Sequence, residues 1–283
     1  MNIIIAKSAG YCFGVRDAVN LAYETSEKYG KVYMLGDIVH NEKVVADLEK
    51  AGTKVVQTLD EVPDKSAVLF RAHGTKTEIW DKAKKRDLDV IDATCPLVHE
   101  IHYEVKKIAS EGRQVFIIGD HGHDEVMAIA NQVEKPIILS TAKEASEIRK
   151  YKRGGVVSQS TQMIENVQEI INILMQKVFD LKFVNTICFP TKRNHEEIKE
   201  LSVKCDLMII IGSFTSANSM RLTELSLQRN SNTYQVTGKE DLNKEWFNNV
   251  ENIGISAGAS TPDYLIEEVK EQIKNFEREI NNE

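Results

Sequence analysis

The sequence has no Cys-x-x-Cys pair, no G-x-x-x-x-G-K-[ST] loop and no G-x-G-x-x-G. The first absence weighs against structural zinc, which commonly takes paired cysteines. The second excludes an ATP-type phosphate loop, and the third leaves nicotinamide binding without support. Apolar runs are short: the longest, Leu207 to Ile211, cannot span a bilayer. The opening residues MNIIIAKSAGYC put no basic stretch ahead of their three isoleucines, so a secretory leader is not expected. A basic face is missing too. The formal net charge is −7, and the one basic stretch, KAKKRD at 82–87, reads as a solvated helix face. Neither nucleic acid nor a membrane is therefore an expected partner. Only five prolines occur and no Pro/Gly/Ser-rich linker, which favours tightly packed units. A cytoplasmic location follows as the expectation, with the four cysteines as thiols or metal ligands rather than disulfides.

What is present is a repeat. Three segments end in a cysteine after a short apolar stretch: IIIAKSAGYC at Cys12, VIDATC at Cys95 and FVNTIC at Cys188. Their spacings of 83 and 93 residues divide the chain roughly into thirds. A strand-like segment ending in glycine follows each cysteine, in VYMLGDIVHN, VFIIGDHGHD and LMIIIGSFTSANS. Counting 28 residues on from the cysteines reaches His40, His123 and Ser216. Another strand-like segment follows in each: VLFRAHGT with His73, GVVSQST with Ser160 and Thr161, and GISAGAST with Ser260.

Helical patterns separate these strands, at 124–133, 163–178 and, through Leu265, Val269, Ile273, Phe276 and Ile280, at 265–280. Short apolar strands alternating with helices predict βαβ units and parallel sheets. Ligands of such sheets gather at the carboxyl ends of the strands, where all these loops fall. The expected fold is α/β: three small units with mainly parallel sheets, in a pseudo-threefold trefoil around a central iron–sulfur cluster. The units are expected at 13–95, 96–187 and 188–283, the last completed by 1–12, whose strand pairs with the third repeat.

One cysteine per repeat suits a cluster on a pseudo-threefold axis, since thiolates are its usual ligands. Three ligands to a four-iron cube leave one iron open to substrate. Cys205 has no counterpart in the repeat and reads as core. His40, His73 and His123 in strand-end loops point to an anionic ligand or to acid–base work. Ser160, Thr161, Ser216, Asn218 and Ser260 add hydroxyl and amide groups. Helix N-termini after these loops add N–H donors suited to phosphate. Glu125, beside His123, suits a proton donor. His99 and His102 are three apart on the helix after Cys95 and read as one solvated face.

The segments GYCFGVRDAV, GDIVHN, RAHGT, DATCPLV, GHDEV, SQST, GSFTSANSMRL and SAGASTPD, in this order, resemble those of the 4-hydroxy-3-methylbut-2-enyl diphosphate reductases of the methylerythritol phosphate pathway. The resemblance implies that Cys12, Cys95 and Cys188 hold one four-iron four-sulfur cluster. It implies that His40, His73, His123, Ser216, Asn218 and Ser260 bind the diphosphate, with Thr191 near the substrate. It makes Glu125 the proton source, relayed through the hydroxyl of Ser160 or Thr161. The usual Q-T-T is here Gln159-Ser160-Thr161, and the usual S-S-N is Ser216-Ala217-Asn218, where only a backbone N–H remains at Ala217. The implied reaction is reductive dehydroxylation of an allylic diphosphate to isopentenyl and dimethylallyl diphosphate, with ferredoxin or flavodoxin as electron donor. A quinolinate synthase-like enzyme, a non-enzymatic iron–sulfur sensor and a zinc-stabilised binding protein are the competing readings.

Overall fold

The structure is a computed structural model in which residues 1–280 are described. Strand β1 (Asn2–Ile5) and helix α1 (Phe13–Tyr29) open the chain. Next come β2 (Val32–Leu35), α2 (Glu42–Lys50), β3 (Thr53–Val56), β4 (Ala67–Phe70), α3 (Thr77–Lys85) and β5 (Asp89–Asp92). The middle of the chain holds α4 (Pro96–Ser110), β6 (Gln114–Ile118), α5 (Asp124–Ala130), β7 (Ile137–Leu139), α6 (Ala142–Glu147), β8 (Tyr151–Ser158), α7 (Ile164–Lys177) and β9 (Val178–Phe183). The last part holds α8 (Phe189–Ser202), β10 (Leu207–Ile211), α9 (Ala217–Leu227), β11 (Thr233–Val236), β12 (Asn252–Ala257) and α10 (Asp263–Ile280).

The chain divides into two compact units. One comprises Met1–Val15, His40–Val44 and the chain from Phe189 onward; the other comprises Arg16–Val39 and Val45–Cys188. The first holds one four-stranded sheet, β1-β12-β10-β11. The second holds two, β3-β2-β4-β5 and β7-β6-β8-β9. Every pairing is parallel. The three sheets share one plan: two strands joined through a helix, a third on the far side of the first, then a closing strand at the edge. The closing strands are β5, β9 and β1. The expected pairing of the N-terminal strand is present, with Asn2 opposite Asn252 and Ile5 opposite Ile255. Because β1 closes the last sheet, each closing strand leads into a loop that ends in one of the three repeat cysteines.

Continuous apolar strands are what a sheet covered on both faces requires. In the β6 sheet, alternation sends Phe116 and Ile118 to one face, packed with Val167, Ile170 and Leu174 of α7. Val115 and Ile117 go to the other, against Ile101, Val105 and Ile108 of α4. In the β10 sheet, Leu265, Val269 and Ile273 of α10 bury against Ile209, Ile211, Ile253 and Ile255. Each such side chain contributes roughly 1.5–3 kcal/mol by leaving water. No helix among the described residues is long and apolar enough to cross a membrane.

Candidate active site

The three repeat cysteines occupy equivalent places. Each directly precedes a helix: Cys12 before α1, Cys95 as the N-cap of α4 and Cys188 before α8. Pro96 is at the first helical position of α4, where an N–H would have no intrahelical partner anyway. Each cysteine also makes the same backbone bond. Its N–H donates to a carbonyl in the loop after the third strand: Cys12 to Ala259 at 3.3 Å, Cys95 to Ala72 at 3.0 Å and Cys188 to Ser160 at 2.9 Å. The positive end of a helix favours a thiolate over a thiol. The fourth cysteine differs. Cys205 is buried ahead of β10, and burial pushes its thiol up, with Asp206 adding to the effect.

In the two-sheet unit, Glu125 lies in the first turn of α5 and is 2% exposed. Its Oε1 accepts from the Ser160 N–H at 2.6 Å and its Oε2 from the Ser160 hydroxyl at 2.7 Å. The Thr161 hydroxyl accepts from the Gln159 amide at 3.1 Å. His123 is the N-cap of α5, and its Nδ1 accepts from the Glu125 N–H at 3.1 Å. That bond sets the neutral ring as the Nε2–H tautomer, a donor. The His73 and His123 rings meet edge to face with centroids 5.7 Å apart.

In the other unit, Ser216 caps α9 by accepting from the Ser219 N–H, and Ala217 and Asn218 form its first turn. Asn218 is 6% exposed, yet neither its amide nitrogen nor its amide oxygen has a hydrogen-bond partner among the described residues. A buried amide left this way costs free energy unless a ligand satisfies it. The Ser260 hydroxyl donates to the His40 carbonyl at 3.0 Å. Thr191 is buried in the first turn of α8. Buried donors at the start of α9, beside hydroxyls and a histidine, are a suitable seat for a phosphate-type anion.

The sequence family described as LytB protein matches residues 3–274. The chain belongs to the LytB family. Among its LytB relatives, the 4-hydroxy-3-methylbut-2-enyl diphosphate reductase of Aquifex aeolicus is 40% identical over 281 residues, covering 98% of this chain and 97% of the relative. That of Geobacter sulfurreducens is 38% identical over 278 residues, 98% of each chain. The solved structure of the E-1-hydroxy-2-methyl-but-2-enyl-4-diphosphate reductase from Plasmodium falciparum is similar at a TM-score of 0.91 and 29% identity, over 97% of this chain and 87% of that one. A second solved structure, of an (E)-4-hydroxy-3-methyl-but-2-enyl diphosphate reductase, gives a TM-score of 0.73 at 39% identity, over 97% and 100%.

One expectation needs correcting for this LytB chain. His102 is not on a solvated face: it is 9% exposed, and burial lowers its pKa to about 4, with His99 and Lys106 adding to the effect. Only His99 is on the open side, where its Nε2 lies 3.2 Å from Asp92. The equal count of 28 residues also hides a one-residue offset. His123 and Ser216 cap their helices, but α2 is capped by Asn41, whose Oδ1 accepts from the Lys43 and Val44 N–H groups. His40 lies one residue earlier. Three further residues escaped the sequence reading. Glu42 accepts from the Ser213 hydroxyl at 2.6 Å, and Arg71 pairs with Asp124 at 2.5 Å. An acid at the first position of a helix was the one available signal for both Glu42 and Asp124.

Proposed function

We propose that this chain is a 4-hydroxy-3-methylbut-2-enyl diphosphate reductase, an oxidoreductase that removes the allylic hydroxyl of its substrate as water and yields isopentenyl and dimethylallyl diphosphate. Membership of the LytB family over nearly the whole chain supports the reaction. The observation that carries the chemistry is the equivalence of Cys12, Cys95 and Cys188: one thiol per sheet, each at a helix start, each with the same N–H bond. A set of three thiolates fits a four-iron four-sulfur cluster with one iron not held by protein. When bound, such a cluster supplies single-electron transfer and a Lewis-acidic iron.

The protein's own groups do the rest. His40, His73, His123, Ser216, Ala217, Asn218 and Ser260 bind the diphosphate, Asn218 through the amide that has no partner among the described residues. Thr191 borders the substrate. Glu125 holds the proton and Ser160 passes it on, because the Ser160 hydroxyl is bonded to the carboxyl group. Electrons arrive singly from a ferredoxin or flavodoxin in the cytoplasm.

The test is anaerobic reconstitution with iron and sulfide, followed by assay with the hydroxylated allylic diphosphate and a chemical reductant. The wild-type chain should form both products. Serine at Cys12, Cys95 or Cys188 should each abolish iron retention, and Cys205→Ser should not. Equal iron retention in all four variants would overturn the ligand set.

A further inference from the structure

The loops that deliver the three cysteines differ in how they are braced. In the loop after β5, the Asp92 carboxylate accepts from the Thr94 N–H at 3.0 Å and from its hydroxyl at 2.5 Å. In the loop after β9, Asn185 Oδ1 accepts from the Ile187 N–H at 3.2 Å. Both acceptors lie three residues before the cysteine and bond to the residue just ahead of it. The corresponding position before Cys12 is Ala9, whose side chain has no acceptor. This loop is also the longest of the three, running from the end of β1 at Ile5 to Cys12. It contains Gly10 at φ +94°, a conformation most residues avoid. Lacking a side-chain acceptor at that position, and longer than the other two, it has more conformational freedom to lose on folding.

The brace comes instead from α8, the helix that begins just after Cys188. Glu197 Oε1 accepts from the Lys7 N–H at 2.6 Å, and Oε2 accepts from the Ser8 N–H at 2.8 Å and from the Ser8 hydroxyl. One carboxylate thus holds three donors of a loop some 190 residues away in sequence. Hydrogen bonds to an ionised acceptor are stronger than neutral ones. We propose that Glu197 is a positioning residue for Cys12, standing in for the local acceptor that the other two cysteine loops carry themselves. The inference rests on Cys12 being a cluster ligand only for its consequence in the enzyme; the bracing of the loop is independent of that reading.

Two measurements on the full-length chain separate these points. The first is the rate at which iodoacetamide alkylates each cysteine before reconstitution, resolved by peptide mass spectrometry. Glu197→Ala should speed alkylation of Cys12 by about tenfold, the equivalent of losing one charged hydrogen bond net, and leave Cys95 and Cys188 within about twofold of wild type. Glu197→Gln keeps one acceptor oxygen and should fall between; it also serves if the alanine variant fails to fold. Glu200→Ala, on the exposed side of the same helix, is the control and should change none of the three rates. The second is release of iron from the reconstituted protein to a ferrous chelator, which should quicken in Glu197→Ala. A uniform rise at all three cysteines would show general loosening and overturn the proposal, as would an unchanged Cys12. If Cys12→Ser keeps its iron, the ligand assignment fails, and a rise confined to Cys12 in Glu197→Ala still establishes the brace.

Discussion

Ser160 engages both carboxylate oxygens of Glu125, one through its backbone N–H at 2.6 Å and the other through its hydroxyl at 2.7 Å. A single residue therefore fixes the carboxyl plane and offers a hydroxyl bonded to it, while the hydroxyl of Thr161 accepts from the Gln159 amide at 3.1 Å. The Ser160 carbonyl also accepts from the Cys188 N–H, which ties this pair to a cysteine loop.

The geometry orders the variants. Glu125→Gln is close to isosteric and removes the transferable proton, so single-turnover product formation should fall roughly 10²–10⁴-fold with little change in substrate binding. Ser160→Ala keeps the backbone bond to Glu125 and loses the hydroxyl, so it should reproduce part of that defect. Ser160→Thr should restore most of the rate, and Thr161→Ala should have the smaller effect of the two alanine changes. Anaerobic single-turnover assays decide this. A Thr161→Ala defect larger than that of Ser160→Ala would reverse the assignment of the relay.

Arg71 and Asp124 belong to the loops that carry His73 and His123. Arg71 is two residues ahead of His73, and Asp124 follows His123 at the start of α5; the pair is 2.5 Å apart, with side chains 26% and 33% exposed. The ion pair holds the two loops in the arrangement that brings the histidine rings edge to face. Arg71→Ala and Asp124→Asn should each raise KM several-fold and change kcat less. A double-mutant cycle should show coupling of about 1 kcal/mol, in keeping with a partly exposed pair. Additive effects would mean that the pair does not set the histidine geometry.

Much of this was legible in the sequence because it is local. Cys12, Cys95 and Cys188 mark the repeat, and five-residue apolar runs such as Leu207–Ile211 coincide with strands because a doubly covered parallel sheet needs them. The closure of the last sheet by β1 followed from counting strands against cysteines. The missing parts are those that depend on separation along the chain. Glu42 meets Ser213 across 171 residues, and no spacing rule pairs them. His102 looked solvated because its helix carries many polar residues. It is buried because it lies on the same side of α4 as Val98, Ile101 and Val105, beneath the loop at Gly74. The one-residue offset at His40 was invisible because counting from a cysteine cannot detect where a helix begins.

That buried imidazole makes the protein's stability depend on pH. His102 has its pKa lowered from 6.5 to about 4, first by burial and then by the nearby charges of His99 and Lys106, against a smaller opposing effect of Asp92. In the unfolded chain the ring takes up a proton as pH falls below 6.5; in the folded chain it refuses one until about pH 4. The unfolded state therefore binds more protons across this window, and stability falls as pH is lowered through it. The full loss amounts to about 3 kcal/mol, because each pH unit between the two values is worth about 1.36 kcal/mol. His102→Gln removes the titration, so the difference in urea midpoint between wild type and variant should shrink or reverse in the variant's favour from pH 7 to pH 4.5. The ring also fills the space above Gly74, where an added Cβ would come within 2.9 Å of its Cε1 and where φ is +87°. Gly74→Ala should thus destabilise by roughly 1–3 kcal/mol at neutral pH, and do so less in a His102→Ala background, because part of its cost is overlap with the ring. If wild type and His102→Gln lose stability in parallel as pH falls, the imidazole is not the group that responds.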